Sequence, residues 1–216
     1  MMFEAILLAW AVAASFASVV FFAQWRRSKR RFKHVTMNDE LTGLLNRHGF
    51  WDQVERFIKV TVSAKVGAQR ASFVVKDFSL IVFDIDRFKE LNDMFGHRCG
   101  DAVLRRVAET VTSAIREVDL ACRWGGEEIV VGLVGAGQQK ALEIAERVRE
   151  TVEKSPIMWD SGDIVRFTVS GGVSSVNGAK NFDELLEMAD KALYLAKAGG
   201  RNRIVAYESS STKPGR

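Results

Sequence analysis

The chain has 216 residues, 47% hydrophobic and 27% charged, with two prolines and two cysteines. That composition suits a folded domain of ordinary size rather than a disordered chain, and Cys99 and Cys122 are too few for a disulfide framework or a zinc site. The net charge of +4 invites a nucleic-acid partner, but Arg26, Arg27, Lys29, Arg30, Arg31 and Lys33 carry the excess and the rest is nearly neutral, so no nucleic acid is expected.

Residues 1–25 are expected to form a transmembrane anchor. Ala5 to Ala23 carries no charge, and at about 1.5 Å per residue it nearly spans a hydrocarbon core of roughly 30 Å. The basic run follows at once and fixes that end in the cytoplasm. A single-pass protein of the inner membrane is therefore expected, touching membrane lipid, with only a few residues beyond the bilayer. Residues 26–38 read as a basic juxtamembrane stalk, 39–208 as a folded cytoplasmic domain and 209–216 as a polar tail.

Within the domain, apolar spacing predicts a helix over about 49–62, followed by an ambiguous stretch at 64–76. Ser79–Asp84 is a buried-type strand. Helices follow at 88–95 and 101–116. Leu120–Trp124 and Glu127–Val134 form a hairpin around Gly125-Gly126, whose residues tolerate positive φ. Another helix covers 138–153, a strand 165–176, a helix 182–198 stopped by Gly199-Gly200, and a last strand 204–207. This mixed order predicts an α+β domain with a central, largely antiparallel sheet flanked by helices, preceded by one transmembrane helix.

Asp84 ends one apolar strand, and Glu127 and Glu128 begin another. Carboxylates at the ends of neighbouring strands can converge on a hard cation, with water and substrate phosphates completing its shell. Paired cations of that kind activate an attacking oxygen and neutralise a leaving pyrophosphate.

Five segments in order resemble the GGDEF-domain diguanylate cyclase family. They are Asp39-Glu40-Leu41-Thr42-Gly43-Leu44-Leu45-Asn46-Arg47, then Phe83-Asp84-Ile85-Asp86-Arg87-Phe88-Lys89-Glu90-Leu91-Asn92-Asp93, then Phe95-Gly96-His97 with Gly100-Asp101. The signature Gly125-Gly126-Glu127-Glu128-Ile129 and Ala189 to Lys197 with Gly200-Arg201-Asn202 complete the set. The resemblance implies a fold like nucleotide cyclase and polymerase palm domains. It also implies the conversion of two GTP into cyclic di-GMP and two pyrophosphates across a homodimer.

Carried over residue by residue, the resemblance gives Asp84, the carbonyl of Ile85 and Glu127 as ligands of Mg²⁺, with Mn²⁺ as a substitute. Glu127 or Glu128 would assist deprotonation of the 3′-hydroxyl, and Lys89 would steady transition-state charge. The turn from Ile85 through Phe88 to Lys89 would cradle phosphates, together with Lys197 and Arg201. Those two share a helix face only if the helix runs past Gly199-Gly200; otherwise Arg201 sits in the turn. Asn92 and Asp101 would read guanine, with His97 as a neighbour. Asp101 could equally be a helix N-cap. Arg116 and Asp119 match the RxxD site at which product cyclic di-GMP inhibits the family.

Three positions depart from the family pattern. Ile129 replaces the usual Phe and is expected to pack behind the hairpin. Gly172 stands where an apolar residue often follows Ser-Gly, and His48 replaces a frequent Arg. None removes a metal ligand or a guanine reader. The rival to catalysis is an inactive receptor or scaffold for GTP or cyclic di-GMP, against which the intact acids and Lys89 argue.

Overall fold

A computed structural model of the chain describes residues 37–54, 57, 77–160, 162–176, 179 and 181–208. The predicted transmembrane segment 1–25, residues 26–36 of the stalk, the 64–76 stretch and the 209–216 tail lie outside the described residues. Among the described residues, no helix is long and apolar enough to cross a membrane. Asn38–Arg216 forms a compact unit of its own.

The elements in chain order are β1 (Leu45–Asn46), α1 (helical residues 47–54), β2 (Phe78–Ile85), α2 (Phe88–Phe95), α3 (His97–Ala114), β3 (Leu120–Arg123) and β4 (Glu128–Val134). They continue with α4 (Gln138–Glu153), β5 (Ile157–Met158), β6 (Ile164–Val165), β7 (Val169–Ser175), α5 (Phe182–Ala198) and β8 (Ile204–Ala206). Six strands form one sheet in the order β1-β3-β4-β2-β7-β8. The four inner strands pair antiparallel, and β1 and β8 add parallel edges. The expected α+β class with a largely antiparallel sheet is what the chain adopts.

All eight residues of β2 are buried, because helices cover both faces of the sheet. Successive side chains point to opposite faces. Ile81, Phe83 and Ile85 pack with Val103, Val107 and Val148 of α3 and α4. Leu80 and Val82 join Phe50, Phe182 and Leu185 of α1 and α5 on the other face. Double-sided burial explains the unbroken apolar run and fixes the register, since a one-residue slip would exchange the two faces. In that register Asp84 stands opposite Glu128 on one side and Ser170 on the other.

Ile129 is 1% exposed, pairs with Phe83 across the sheet and belongs to the α3/α4 face. Its expected packing behind the hairpin is therefore met. Gly172 also has a physical reason. A Cβ there would lie 2.0 Å from the Ala189 carbonyl oxygen and 2.4 Å from the Leu193 nitrogen, so α5 rests directly on the β7 backbone.

Several boundaries differ from expectation. The helix predicted from Asp101 begins at His97, directly after Gly96 at φ 82. Asp101 therefore lies inside α3, and the N-cap reading of it is wrong. The strand predicted over 165–176 is two pieces, because Ile164–Val165 pairs with Ile157–Met158 in a separate two-stranded sheet. The second hairpin strand starts at Glu128, leaving Glu127 in the turn, and neither Gly125 nor Gly126 takes a positive φ.

Candidate active site

Asp84 is 6% exposed near the end of the central strand. Burial pushes its carboxyl above the usual range, while the Lys197 ammonium, which donates to Asp84 Oδ2 at 2.8 Å, pulls the other way. Burial also raises Glu127, and the charge on Asp84 adds to the effect. Glu128 is raised by the same two causes in the same order, with Asp190 contributing. Three acids thus resist ionisation side by side, which is the electrostatic signature of a place built to receive positive charge. Among the described residues, no three His, Cys, Asp or Glu side chains stand close enough to hold a metal ion together. The donor set still suits a hard divalent cation, being all carboxylate oxygen. In the present arrangement an ammonium takes one of those oxygens.

The hairpin tip is braced from outside. Arg123 Nη2 and Nε donate to the Gly126 carbonyl at 2.8 and 3.2 Å, and its Nη1 pairs with Asp39 at 3.3 Å. Asp39 in turn accepts from the Thr42 amide and hydroxyl. The Arg47 guanidinium lies 4.3 Å over the Trp124 ring. A Cβ at Gly125 would meet Glu128 Oε2 at 2.8 Å, whereas one at Gly126 would meet nothing. Gly125 therefore makes room for the Glu128 carboxylate, and Gly126 leaves bare backbone at the tip.

β2 passes into α2 through Arg87, which takes φ 55 and provides no side-chain cap. The first-turn N–H groups of α2 are the natural seat for phosphate oxygens. Lys89 is exposed beside them, and Phe88 is 7% exposed with its ring in the core, so its backbone is what it offers a ligand. Lys197 lies in the last turn of α5, but the helix ends at Ala198 and Arg201 sits in the following turn at φ 65. The second of the two sequence alternatives for Arg201 is the observed one.

Asn92 on α2 faces α3. Its Oδ1 is buried without a hydrogen-bond partner among the described residues. A Cβ on Gly100 would lie 2.0 Å from that atom. An orphaned buried amide oxygen is costly unless a ligand completes it. Asp101 is half-buried one residue beyond Gly100, and His97 is exposed at the start of α3. On the expectation that Asn92 reads guanine, Gly100→Ala should turn Asn92 aside and raise the KM for GTP about tenfold or more, with weaker preference over ATP. Initial rates with both nucleotides test this; an unchanged KM would remove Asn92 from the base-reading role.

The Arg116–Asp119 pair lies between the end of α3 and β3. Arg116 Nη2 donates to Asp119 Oδ1 at 2.9 Å and to the Val134 carbonyl at 2.8 Å. Asp119 Oδ1 also accepts from the Val134 amide at 3.0 Å, and Oδ2 accepts from the Arg116 amide. The aspartate side chain is fully buried while the arginine is 60% exposed. A hollow of about 300 Å³ beside the motif is lined by Leu44, Thr112, Arg116, Glu117 and Ala121.

Sequence reasoning assigned no role to Asp86, Asn202, Asp190 or Arg147. Asp86 was visible in the Asp-Ile-Asp motif, but its partners lie 82 to 116 residues away. Arg147 donates to the Ala114 carbonyl, placing a second guanidinium near the RxxD motif. No local pattern marks either connection.

Together these features define a palm-like α+β domain with acids at the end of its central strands. The family model described as "Diguanylate cyclase, GGDEF domain" matches residues 36–203. The chain belongs to that family. It is 41% identical over 181 residues to diguanylate cyclase DgcM of Escherichia coli (strain K12), a match covering 84% of this chain and 41% of that protein. The GGDEF domain of DgcB from Caulobacter crescentus, solved in complex with c-di-GMP, superimposes with a TM-score of 0.72 at 31% identity, covering 80% of this chain and 94% of that one. The active GGEEF domain of a diguanylate cyclase from Vibrio cholerae gives a TM-score of 0.65 at 32% identity, covering 77% and 99%. The chain spans about two fifths of the length of the curated relatives it matches.

Proposed function

We propose that the chain is a diguanylate cyclase that joins two GTP molecules into cyclic di-GMP with release of two pyrophosphates. The observation that carries this reading is the acid set: buried Asp84 in register with Glu128, beside Glu127 on the braced hairpin, with Lys197 on Asp84. Asp84, the Ile85 carbonyl and Glu127 would hold Mg²⁺ or Mn²⁺. Such a cation supplies charge neutralisation for the α-phosphate and the leaving pyrophosphate.

The protein's own groups do the rest. The α2 N-terminus and Lys89 receive phosphate oxygens. Lys197, which pairs with Asp84 in this structure, would then be free to hold phosphate oxygens. Glu127, kept from easy ionisation by burial and by Asp84, accepts the proton of the 3′-hydroxyl. Asn92 and Asp101 bind the guanine edge, whose N1–H and N2–H₂ donors adenine lacks. Each domain binds one GTP, so two copies face each other across a twofold axis. A membrane anchor at 1–25, supported by the uncharged stretch and the basic run behind it, would raise the frequency of that encounter.

The test is direct. The full chain, purified in detergent with Mg²⁺ and GTP, should yield cyclic di-GMP by mass spectrometry. A folded dimer that binds GTP and gives no product would favour the receptor reading instead.

Product inhibition at Arg116 is part of the same proposal. Arg116 is exposed enough to leave Asp119 and grip a phosphate. Arg116→Ala should weaken inhibition by added cyclic di-GMP about tenfold or more, from about 1.5–3 kcal/mol per charge-assisted bond. Inhibition that is unchanged in the variant would exclude the arginine from that role.

A further inference from the structure

We infer that Asp86 is the positioning residue for the phosphate end of the active site, an inference that rests on the function proposed above. It is 8% exposed and lies two residues beyond Asp84. Its carboxylate touches no catalytic group, yet it joins three separate segments. Oδ1 accepts from the Ser170 hydroxyl at 2.7 Å. Oδ2 accepts from the Thr168 hydroxyl at 2.7 Å and from the Asn202 amide at 3.0 Å. Its own amide donates to the Thr168 carbonyl at 2.9 Å.

The backbone on both sides of this carboxylate is strained. Arg87, the next residue, takes φ 55. Across the carboxylate, Arg201 and Asn202 take φ 65 and 46 directly after Gly200 at φ 113. Left-handed conformations of residues other than glycine are unfavourable and persist only where surrounding contacts hold them. Asn202 is held from the far side as well, since Arg149 donates to its Oδ1 and its Nδ2 donates to Glu153, each at 2.8 Å. Asp86 therefore fixes two turns at once. One leads into the α2 N-terminus and Lys89. The other carries Arg201, whose side chain is exposed and bears on Asp84 electrostatically.

The carboxylate also lies on the wall of a hollow of about 400 Å³, with Arg87, Arg166, Thr168 and Arg201 around it. A plain core acid would satisfy one neighbouring strand. Here the bonds run not only to Ser170 of β7 but also to the loop before it and to the turn after α5, the pieces that must keep a fixed distance for Lys89 and Arg201 to meet one triphosphate. Positioning of this kind supplies binding and rate without contact.

Asp86→Asn keeps the size but removes the charge and one of the two acceptor oxygens that hold Ser170, Thr168 and Asn202. In the full chain it should weaken the Kd for a fluorescent GTP analogue, and raise the KM for GTP, about tenfold. Arg201→Ala should do the same, and the double variant should fall short of the product of the two effects, because part of what Asp86 does passes through the turn that carries Arg201. Effects that multiply in the double variant, or a Kd within twofold of the parent, would overturn the inference. If Asp86→Asn does not fold, Thr168→Val removes a single donor and should give a smaller shift with the same non-additivity against Arg201→Ala. The Kd series decides the matter without turnover, so an inactive parent would overturn the cyclase reading while leaving Asp86 to be judged by binding.

Discussion

Glu127→Gln should lower turnover about 10³-fold or more and at the same time raise the melting temperature. The first effect follows from the proposed role of this carboxylate at the hairpin tip as cation ligand and proton acceptor; loss of a positioned base alone costs 10²–10⁴-fold. The second follows from what folding does to the group. Burial and Asp84 hold Glu127 above its ordinary value of 4.5. A carboxyl raised by folding contributes stability below its unfolded value and loses that contribution as pH rises through the raised one. At neutral pH the native charged group is therefore a burden, and glutamine removes it. The melting gain, measured without metal or nucleotide, should be greatest at pH 7–8 and vanish below about pH 4. Affinity for the GTP analogue should be largely kept. A variant that turns over at the parent's rate would displace Glu127 from the centre of the chemistry, and one that melts lower at every pH would show that the hairpin, rather than the charge, governs stability there.

Gly172→Val should destabilise the domain by about 3 kcal/mol or more, enough to prevent accumulation of folded protein at 37 °C. Overpacking of a core with flexible neighbours costs about 1–3 kcal/mol. Here the neighbours are the Ala189 carbonyl and the Leu193 amide of α5, which belong to helix backbone and cannot turn aside. The added side chain must lift α5 from β7. Phe182, Leu185 and Ala189 would lose their packing on the sheet, and Lys197 would move away from Asp84. Denaturant titration gives the stability change. A loss below 1 kcal/mol would mean that α5 is free to ride outward.

Much of this was legible in the sequence because it rests on short-range physics. β2 reads as a buried strand from its apolar run, and α5 from its period and its glycine stop. The acids were legible because they terminate apolar strands. What the sequence hid depends on distant segments meeting. Asp86 needs Thr168, Ser170 and Asn202 before it means anything. The start of α3 was misjudged by four residues because His97 to Gly100 carries no apolar stripe, and Gly96 at positive φ begins the helix without a side-chain cap. Gly125-Gly126 reads as a turn whose residues tolerate left-handed backbone, yet neither takes a positive φ. The demand is for space, since Glu128 fills the volume a side chain at 125 would take.

The two ends of the RxxD motif are unequal in what they can be spared from. Asp119 ties the segment after α3 to the amide of Val134 at the end of β4, out of contact with water. Arg116 is largely in solvent. Under the product feedback proposed above, a lineage escaping it has an open route at position 116 and a closed one at 119, where the same loss would loosen the domain. Survival of the aspartate in a descendant would therefore say little about whether the pathway is still under end-product control. The fate of the arginine would be the record to read.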